Sequence, residues 1–412
     1  MNIAIIGGGV SGMIAAIAAA EHGAEVTLYE HMPRLGRKLL VTGSGKCNIS
    51  NTDMDPKHFH SDDGKMVASV LERFPAKDTL AFLGKLGLYT KDRNGYLYPY
   101  SEQASAAVDI LRFAVRDSNI EVHIEADVRK VEKVGAGNDR NLEGKFIVTT
   151  ADDRNSSYDR VIICTGSCAS RNTGSDGSGY ELSKSLGHRI VKPLPALTSL
   201  TCEEDFYPSV AGIRTKAGIS VYSKDKLLGC ETGELQLTKT GISGIPVFNL
   251  SHLAIKSLDQ GSPVSAFIDF LPDISEDDLT EFMTKRVSDL SARPAEELFI
   301  GLLAKMLGVC ICKRCSIDLK AKCADLSQKN IYALCRTLKH FETTVKGYGD
   351  FDSCQVVQGG ISLSEVKDTL ESRIVSGLFF AGEILNVHGD CGGYNLQWAA
   401  SSGLLAAREA CR

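Results

Sequence analysis

The first thirty residues constrain this chain more than any other part of it. Asn2-Ile-Ala-Ile-Ile6 reads as a buried parallel strand, Gly7-Gly-Gly-Val-Ser-Gly12 as a glycine turn, residues 13–20 as an Ala-rich helix and residues 25–30 as a second strand. Gly23 is placed to end the helix. In a G-x-G-x-x-G reading, Gly7 makes the tight turn and Gly9 lets the backbone, with Val10 and Ser11, approach a pyrophosphate. Gly12 lets the helix pack on the sheet, and the phosphates sit on the positive helix N-terminus. Glu30, about twenty residues past the glycines, is the acid expected to bind the ribose hydroxyls of an adenosine.

Size and charge set the class. At 412 residues the chain exceeds one core and predicts two or three domains. A net charge of −5, with Lys and Arg scattered, predicts neither a nucleic-acid partner nor a membrane surface. No apolar run is long enough to span a bilayer, and the first strand begins at residue 2, which leaves no room for an export signal. Thirteen irregularly spaced cysteines then read as reduced thiols, and the expected location is the cytoplasm.

The loop after Glu30, Pro33-Arg-Leu-Gly-Arg-Lys-Leu-Leu-Val-Thr-Gly-Ser-Gly-Lys-Cys-Asn48, continues the nucleotide site and suits a ligand longer than NAD. Arg37, Lys38 and Lys46 supply positive charge for phosphates, while Gly43 and Gly45 permit close backbone approach. An ordinary solvated basic loop is the alternative. Residues 158–167 form an apolar strand ending in Thr165-Gly166. It follows predicted strands at 121–124, 128–134 and 145–150, read as a β-meander inserted between the parallel strands. This arrangement resembles the FAD-binding domain of the glutathione-reductase-type superfamily. Near the other end of the chain, Gly377-Leu-Phe-Phe-Ala-Gly-Glu383 and Gly389-Asp-Cys-Gly-Gly-Tyr-Asn-Leu-Gln-Trp398 repeat a strand, acid, glycine turn and helix start.

Taken together, residues 36–48, Thr173-Gly-Ser-Asp-Gly-Ser-Gly-Tyr180, Gln358-Gly-Gly-Ile361 and Ala381-Gly-Glu383 with Gly392-Gly-Tyr-Asn-Leu-Gln397 resemble the BaiN-type NAD(P)/FAD-dependent oxidoreductases, the aminoacetone-oxidase-like flavoproteins. The resemblance runs through both ends of the chain and departs from the family pattern at Lys46, usually Arg, and Asn386, usually Asp. It implies an α/β protein, with a discontinuous Rossmann-like FAD-binding domain, an inserted small β-barrel and a helical cap. The expected boundaries are 1–190 and 346–412 for the FAD domain, 191–270 for the barrel and 271–345 for the cap. The cofactor implied is FAD, held by Gly7, Gly9, Val10, Ser11, Gly12, Glu30, Arg37, Lys38, Thr42, Gly43, Lys46, Cys47, Asn48, Val128, Thr165, Gly166, Gly360, Gly382, Glu383, Gly392, Gly393, Tyr394, Asn395 and Leu396. The helix start near Gly392 would face the flavin pyrimidine ring and stabilise its anionic reduced form.

The chemistry expected is flavin-mediated hydride transfer to an enone-type double bond of a small organic substrate, with NAD(P)H as transient donor. His388 and Tyr394 are the candidate proton donors, with Arg171 and Asp176 as possible lining residues. A flavin oxidase or dehydrogenase of a small amine or alcohol, and a non-catalytic flavin redox sensor, stay open as alternatives; a nucleic-acid-modifying flavoenzyme is a third, against which the acidic net charge argues. There is no second G-x-G-x-x-G for a dedicated NAD(P)H site, and Cys47 stands alone where dithiol reductases carry a pair. Cys310, Cys312, Cys315 and Cys323 read as free thiols in a helical region, with structural zinc as the alternative and no metal expected. In the middle of the chain, short strands around 219–222, 234–238 and 264–270 predict the barrel, and helices near 279–290, 294–307 and 329–340 predict the cap.

Overall fold

The structure is a computed structural model that describes residues 1–135 and 142–412. The chain forms two compact units, residues 1–195 with 351–412, and residues 196–350. The first unit is built on a five-stranded parallel sheet in the order Leu378–Phe380, Arg160–Ile163, Asn2–Ile6, Glu25–Tyr29, Glu121–His123. Ile5 lies level with Leu28 on one side and Ile162 on the other, and the central strand is apolar and buried from Ile3 to Ile6, as a sheet covered on both faces requires. The first helix, Val10–Glu21, buries every residue from Ser11 to Ala19.

That helix packs closely on the C-terminal helix, Tyr394–Ala410, because both present small residues at the contact. A Cβ added at Gly403 would lie 2.7 Å from the Ser11 carbonyl oxygen.

Two elements of this unit differ from expectation. Residues 121–123 join the parallel sheet beside Glu25–Tyr29, because the helix Ala104–Asp117 before them provides the crossover a parallel neighbour needs. The antiparallel meander therefore consists of Val128–Lys133, Phe146–Thr150 and Asn155–Tyr158.

The second unit holds a closed six-stranded barrel in the order Leu200–Cys202, Gly241–Ser243, Lys226–Leu237, Arg214–Ser223, Val264–Asp269, Phe341–Tyr348. Alternate residues Ala217, Ile219 and Val221 are buried, as barrel closure demands. An unforeseen helix, Ile245–Asp259, starts after Gly244 with Pro246 in its first turn. Helices Glu276–Asp289, Lys305–Arg314 and Gln328–Lys339 complete the unit. The stretch read as one helix from 294 to 307 is instead a 3-10 turn and the start of a later helix, broken at Gly301 with φ +87°. Among the described residues no helix is long and apolar enough to cross a membrane.

Candidate active site

The N-terminal turn is shaped by backbone contact. Gly7 has φ +106°, and a Cβ there would lie 2.5 Å from the Cys164 carbonyl oxygen; a Cβ on Gly12 would lie 1.8 Å from the Gly7 oxygen. Turn, helix and the strand before Thr165 are thus in van der Waals contact, which only glycine permits. Gly9 differs: a Cβ there meets nothing within 4 Å, so its surface faces open space. Gly9 is also the N-cap of the first helix, with no side chain accepting from the first turn and no acid within it. The C-terminal helix also starts at a glycine, Gly393, again with no side-chain cap and no acid in the first turn, though its backbone is left-handed. Two helix starts in one unit therefore lack both a side-chain cap and an acid in the first turn, and each keeps its positive end.

Glu30 is 11% exposed at its side chain and accepts the Gly8 N–H at one oxygen and the Met32 N–H at the other, both at 2.8 Å. A carboxylate has about four acceptor directions, so each oxygen retains capacity for a ribose hydroxyl. Gly8, which the sequence reading does not single out as a ligand, is tightly packed, because a Cβ there would lie 2.3 Å from Leu35 Cδ2 and 3.0 Å from Glu30 Oε2. The Ala126 N–H bonds to the Glu30 carbonyl at 3.0 Å, which brings the strand opening at Val128 to the same edge.

The three expected phosphate cations go separate ways. Lys38 Nζ donates to Glu383 Oε2 at 2.6 Å, Arg37 donates to the Asn172 carbonyl at 3.0 Å, and Lys46 lies 4.0 Å from Glu102. Cys47 is fully buried, and burial, only partly offset by a hydrogen bond with Thr42, pushes its thiol up to about 12. Gly43 and Gly166 hold positive φ in their turns. Ser11, Gly360 and Gly382 are closely packed: a Cβ on Gly382 would meet Ser11 Oγ at 2.5 Å, and one on Gly360 the Ile384 carbonyl at 2.6 Å. Leu396 packs against the core.

Two of the expected ligands stand out chemically. Asn48 Oδ1 and Thr165 Oγ1 are buried without a hydrogen-bond partner in the protein. Leaving such groups unpaired costs about 1–3 kcal/mol each, so their surroundings are suited to a polar ligand. With the two open helix ends and Glu30, they fit a dinucleotide.

A second cluster was not seen in sequence. Asp390 accepts from His58 Nδ1 at 3.0 Å and His60 Nε2 at 2.8 Å. Burial works to raise the Asp390 pKa, but the hydrogen bonds and charges of His60 and His58 outweigh it and hold the carboxyl below its ordinary value. His388, 5% exposed, lies opposite His60 across a two-strand antiparallel pairing, with ring centroids 5.0 Å apart. Tyr394 stacks on His58 at 4.6 Å. Burial and the charges of Asp53 and Asp390 push its pKa up, so the phenol keeps its proton. Asn395 closes this loop by accepting the Gly389 N–H at 2.7 Å and donating to the Gly389 carbonyl at 2.8 Å. A Cβ on Gly393 would meet the Ser50 carbonyl at 2.4 Å, and one on Gly392 the Tyr96 ring at 3.1 Å. The only sequence signal for this cluster was the alternation His58-x-His60.

Arg171 stacks over Phe351 at 5.0 Å, and Asp176 accepts the Ser178 N–H. The cysteines of the second unit have separate partners: Cys312 donates to the Ala295 carbonyl and Cys315 lies 3.3 Å from Thr337 Oγ1.

The HI0933-like protein Rossmann-domain family matches residues 1–409. The chain belongs to that family. A curated relative, the 3-dehydro-bile acid delta(4,6)-reductase of Clostridium scindens, is 37% identical, the match covering 99% of this chain and 98% of the relative. The ribosomal RNA dihydrouridine synthase of Haemophilus influenzae is 27% identical over 97% of this chain and 95% of its own. The solved structure of a 3-ketosteroid delta1-dehydrogenase from Sterolibacterium denitrificans shares the fold, with a TM-score of 0.52 at 12% identity over 99% of both chains. This HI0933-like protein is an FAD-dependent oxidoreductase.

Proposed function

We propose that this protein reduces a carbon–carbon double bond conjugated to a carbonyl in a small organic substrate, with NAD(P)H as donor, in the cytoplasm. The observation that carries the reading is the buried His388 and proton-bearing Tyr394 beside the Asp390 carboxylate, at the uncapped start of the C-terminal helix. Full-length likeness to an enzyme named as a delta(4,6)-reductase of a 3-dehydro-bile acid supports the substrate class. The thirteen irregularly spaced cysteines support a reducing compartment.

Bound FAD supplies hydride transfer between donor and substrate. The chain's residues do the rest. The first helix end, Glu30, Asn48 and Thr165 bind and orient the dinucleotide, with Gly9 open to the phosphates. Reduction of a conjugated double bond also requires a proton, and His388 or Tyr394 delivers it. Asp390 orients His60, which in turn packs against His388.

A second reading has one specific support. The 27% identical relative is named a ribosomal RNA dihydrouridine synthase, and dihydrouridine is uridine with the carbonyl-conjugated double bond of its base saturated. The reaction class is the same and the acceptor differs. Anaerobic stopped-flow reduction of the bound flavin by NADH or NADPH, followed by mixing with 3-oxo-4-ene steroids, a uridine-rich RNA or O₂, separates the readings. Reoxidation by the enone supports the proposal. Fast reoxidation by O₂ with peroxide release and no enone turnover refutes it.

A further inference from the structure

The sequence offers no second glycine fingerprint for a pyridine nucleotide, so a reductant must dock elsewhere. One element of the first unit has the chemistry. Strands Thr90–Arg93 and Tyr96–Pro99 form a hairpin closed by Asn94-Gly95, both at positive φ. Strand alternation places Tyr89, Lys91, Arg93, Tyr96, Tyr98 and Tyr100 on one face, while Leu97 and Pro99, on the other, are buried. Tyr89 and Tyr100 are cross-strand neighbours, joined by a backbone hydrogen bond of 2.8 Å, and are 73% and 70% exposed. Lys91 Nζ lies 5.4 Å from the Tyr100 ring centre.

The cations on this face share a single carboxylate. Glu102 lies 2.7 Å from Lys91, 3.0 Å from Arg93 and 4.0 Å from Lys46. It is held there by a left-handed backbone, φ +54°, which is uncommon for a non-glycine residue. Asp92 is engaged in the turn, accepting the Gly95 N–H. The cluster therefore has cationic charge to spare and suits a phosphate. The inner tyrosines border the candidate cofactor loops: a Cβ on Gly392 would meet the Tyr96 ring, and one on Gly43 the Tyr98 ring at 3.9 Å. The face thus runs from the cofactor loops outward to exposed aromatic rings.

We propose that this hairpin face is the docking site of NADPH, with the adenine stacked on Tyr89 and Tyr100 and the 2′-phosphate held by Lys91, Arg93 and Lys46. The proposal rests on the pyridine-nucleotide donor reading above. Titration of oxidised holoenzyme with adenosine 2′,5′-bisphosphate, which carries no hydride, tests the hairpin without testing the donor. Flavin bleaching by NADPH and NADH tests the donor.

Wild type should bind the bisphosphate and favour NADPH over NADH. The exposed pair Lys91→Ala/Arg93→Ala should weaken the bisphosphate and NADPH ~10-fold and erase the preference, leaving the limiting rate of flavin reduction unchanged. Tyr89→Ala/Tyr100→Ala should weaken both nucleotides alike. Glu102→Gln should tighten the bisphosphate, the opposite sign, which loss of structure cannot produce. Bisphosphate affinities within twofold of wild type in all three variants overturn the proposal. So does a wild type that binds oligouridylate through these residues but binds the bisphosphate independently of them. If neither nucleotide bleaches the flavin while the bisphosphate still responds to the variants, the donor reading fails and the adenosine-phosphate site stands.

Discussion

Gln397→Leu is the sharpest test of how the start of the C-terminal helix is held. Gln397 is fully buried, accepts from Ser50 Oγ at 2.7 Å, and donates to Thr79 Oγ1 at 2.9 Å and Ser401 Oγ at 2.8 Å. It ties the strand Ser50–Asn51, the helix Ala76–Lys85 and its own helix into one polar knot. Leucine is of broadly similar bulk but removes every side-chain hydrogen bond. Ser401 keeps its hydrogen bond to the Phe74 carbonyl at 2.7 Å, so two buried hydroxyls, Ser50 and Thr79, lose the partner Gln397 provides. At about 1–3 kcal/mol each, less some relaxation, the expected loss is roughly 2–4 kcal/mol. This is a large share of the about 5–15 kcal/mol that holds a typical protein folded. Denaturant unfolding followed by flavin release and far-UV signal measures it. Adding Ser50→Ala should cost less than the sum of the two single changes, because one stranded hydroxyl is then removed. A loss below about 1 kcal/mol, or strict additivity, refutes the view that this network fixes the helix start.

Other outcomes follow from the same geometry. Gly12→Ala drives a methyl to 1.8 Å from a backbone oxygen and should yield protein without bound flavin, read from the ratio of flavin to protein absorbance. Thr165→Val and Asn48→Ala remove atoms that have no protein partner, so apo stability should hold within about 0.5 kcal/mol while FAD affinity falls ~10-fold; calorimetry and flavin titration check both. Asp390 has its carboxyl held low in the folded state, so its stabilising contribution is complete above the ordinary carboxylate value of about 3.9 and is lost as pH falls through the lower folded value. Denaturant midpoints against pH should therefore fall more steeply in acid for wild type than for Asp390→Asn. His388→Gln should leave flavin reduction by the donor intact and slow enone turnover, a split that single-turnover kinetics resolves.

What could be read from sequence and what could not divides along physical lines. The parallel core was legible because its signals are local: the apolar run of residues 2–6, the glycines of the turn and the acid at Glu30 lie within one strand–helix–strand unit. The barrel was legible in part, from alternation near 219–222 and 264–270, but its closure depends on pairings such as Gly218 with Asp269, which no local pattern encodes. Residues 121–123 were misread because their strand length suits a meander equally well, and only the preceding helix decides for the parallel sheet. Individual side chains were harder. Ser11 occupies a motif position where a ligand contact is expected, and its close packing against the sites of Gly382 and Gly403 comes from a distant part of the chain that no local pattern encodes. Asp390, His58 and His60 were invisible for the opposite reason: more than three hundred residues separate the carboxylate from its imidazoles. The acid that orients the cluster is therefore set by chain crossing, and the same crossing places Tyr394 on His58. A proton-delivering group in such a fold is defined by neighbours that arrive from the far end of the chain, which is why His388 and Tyr394 could be nominated singly but not as a cluster.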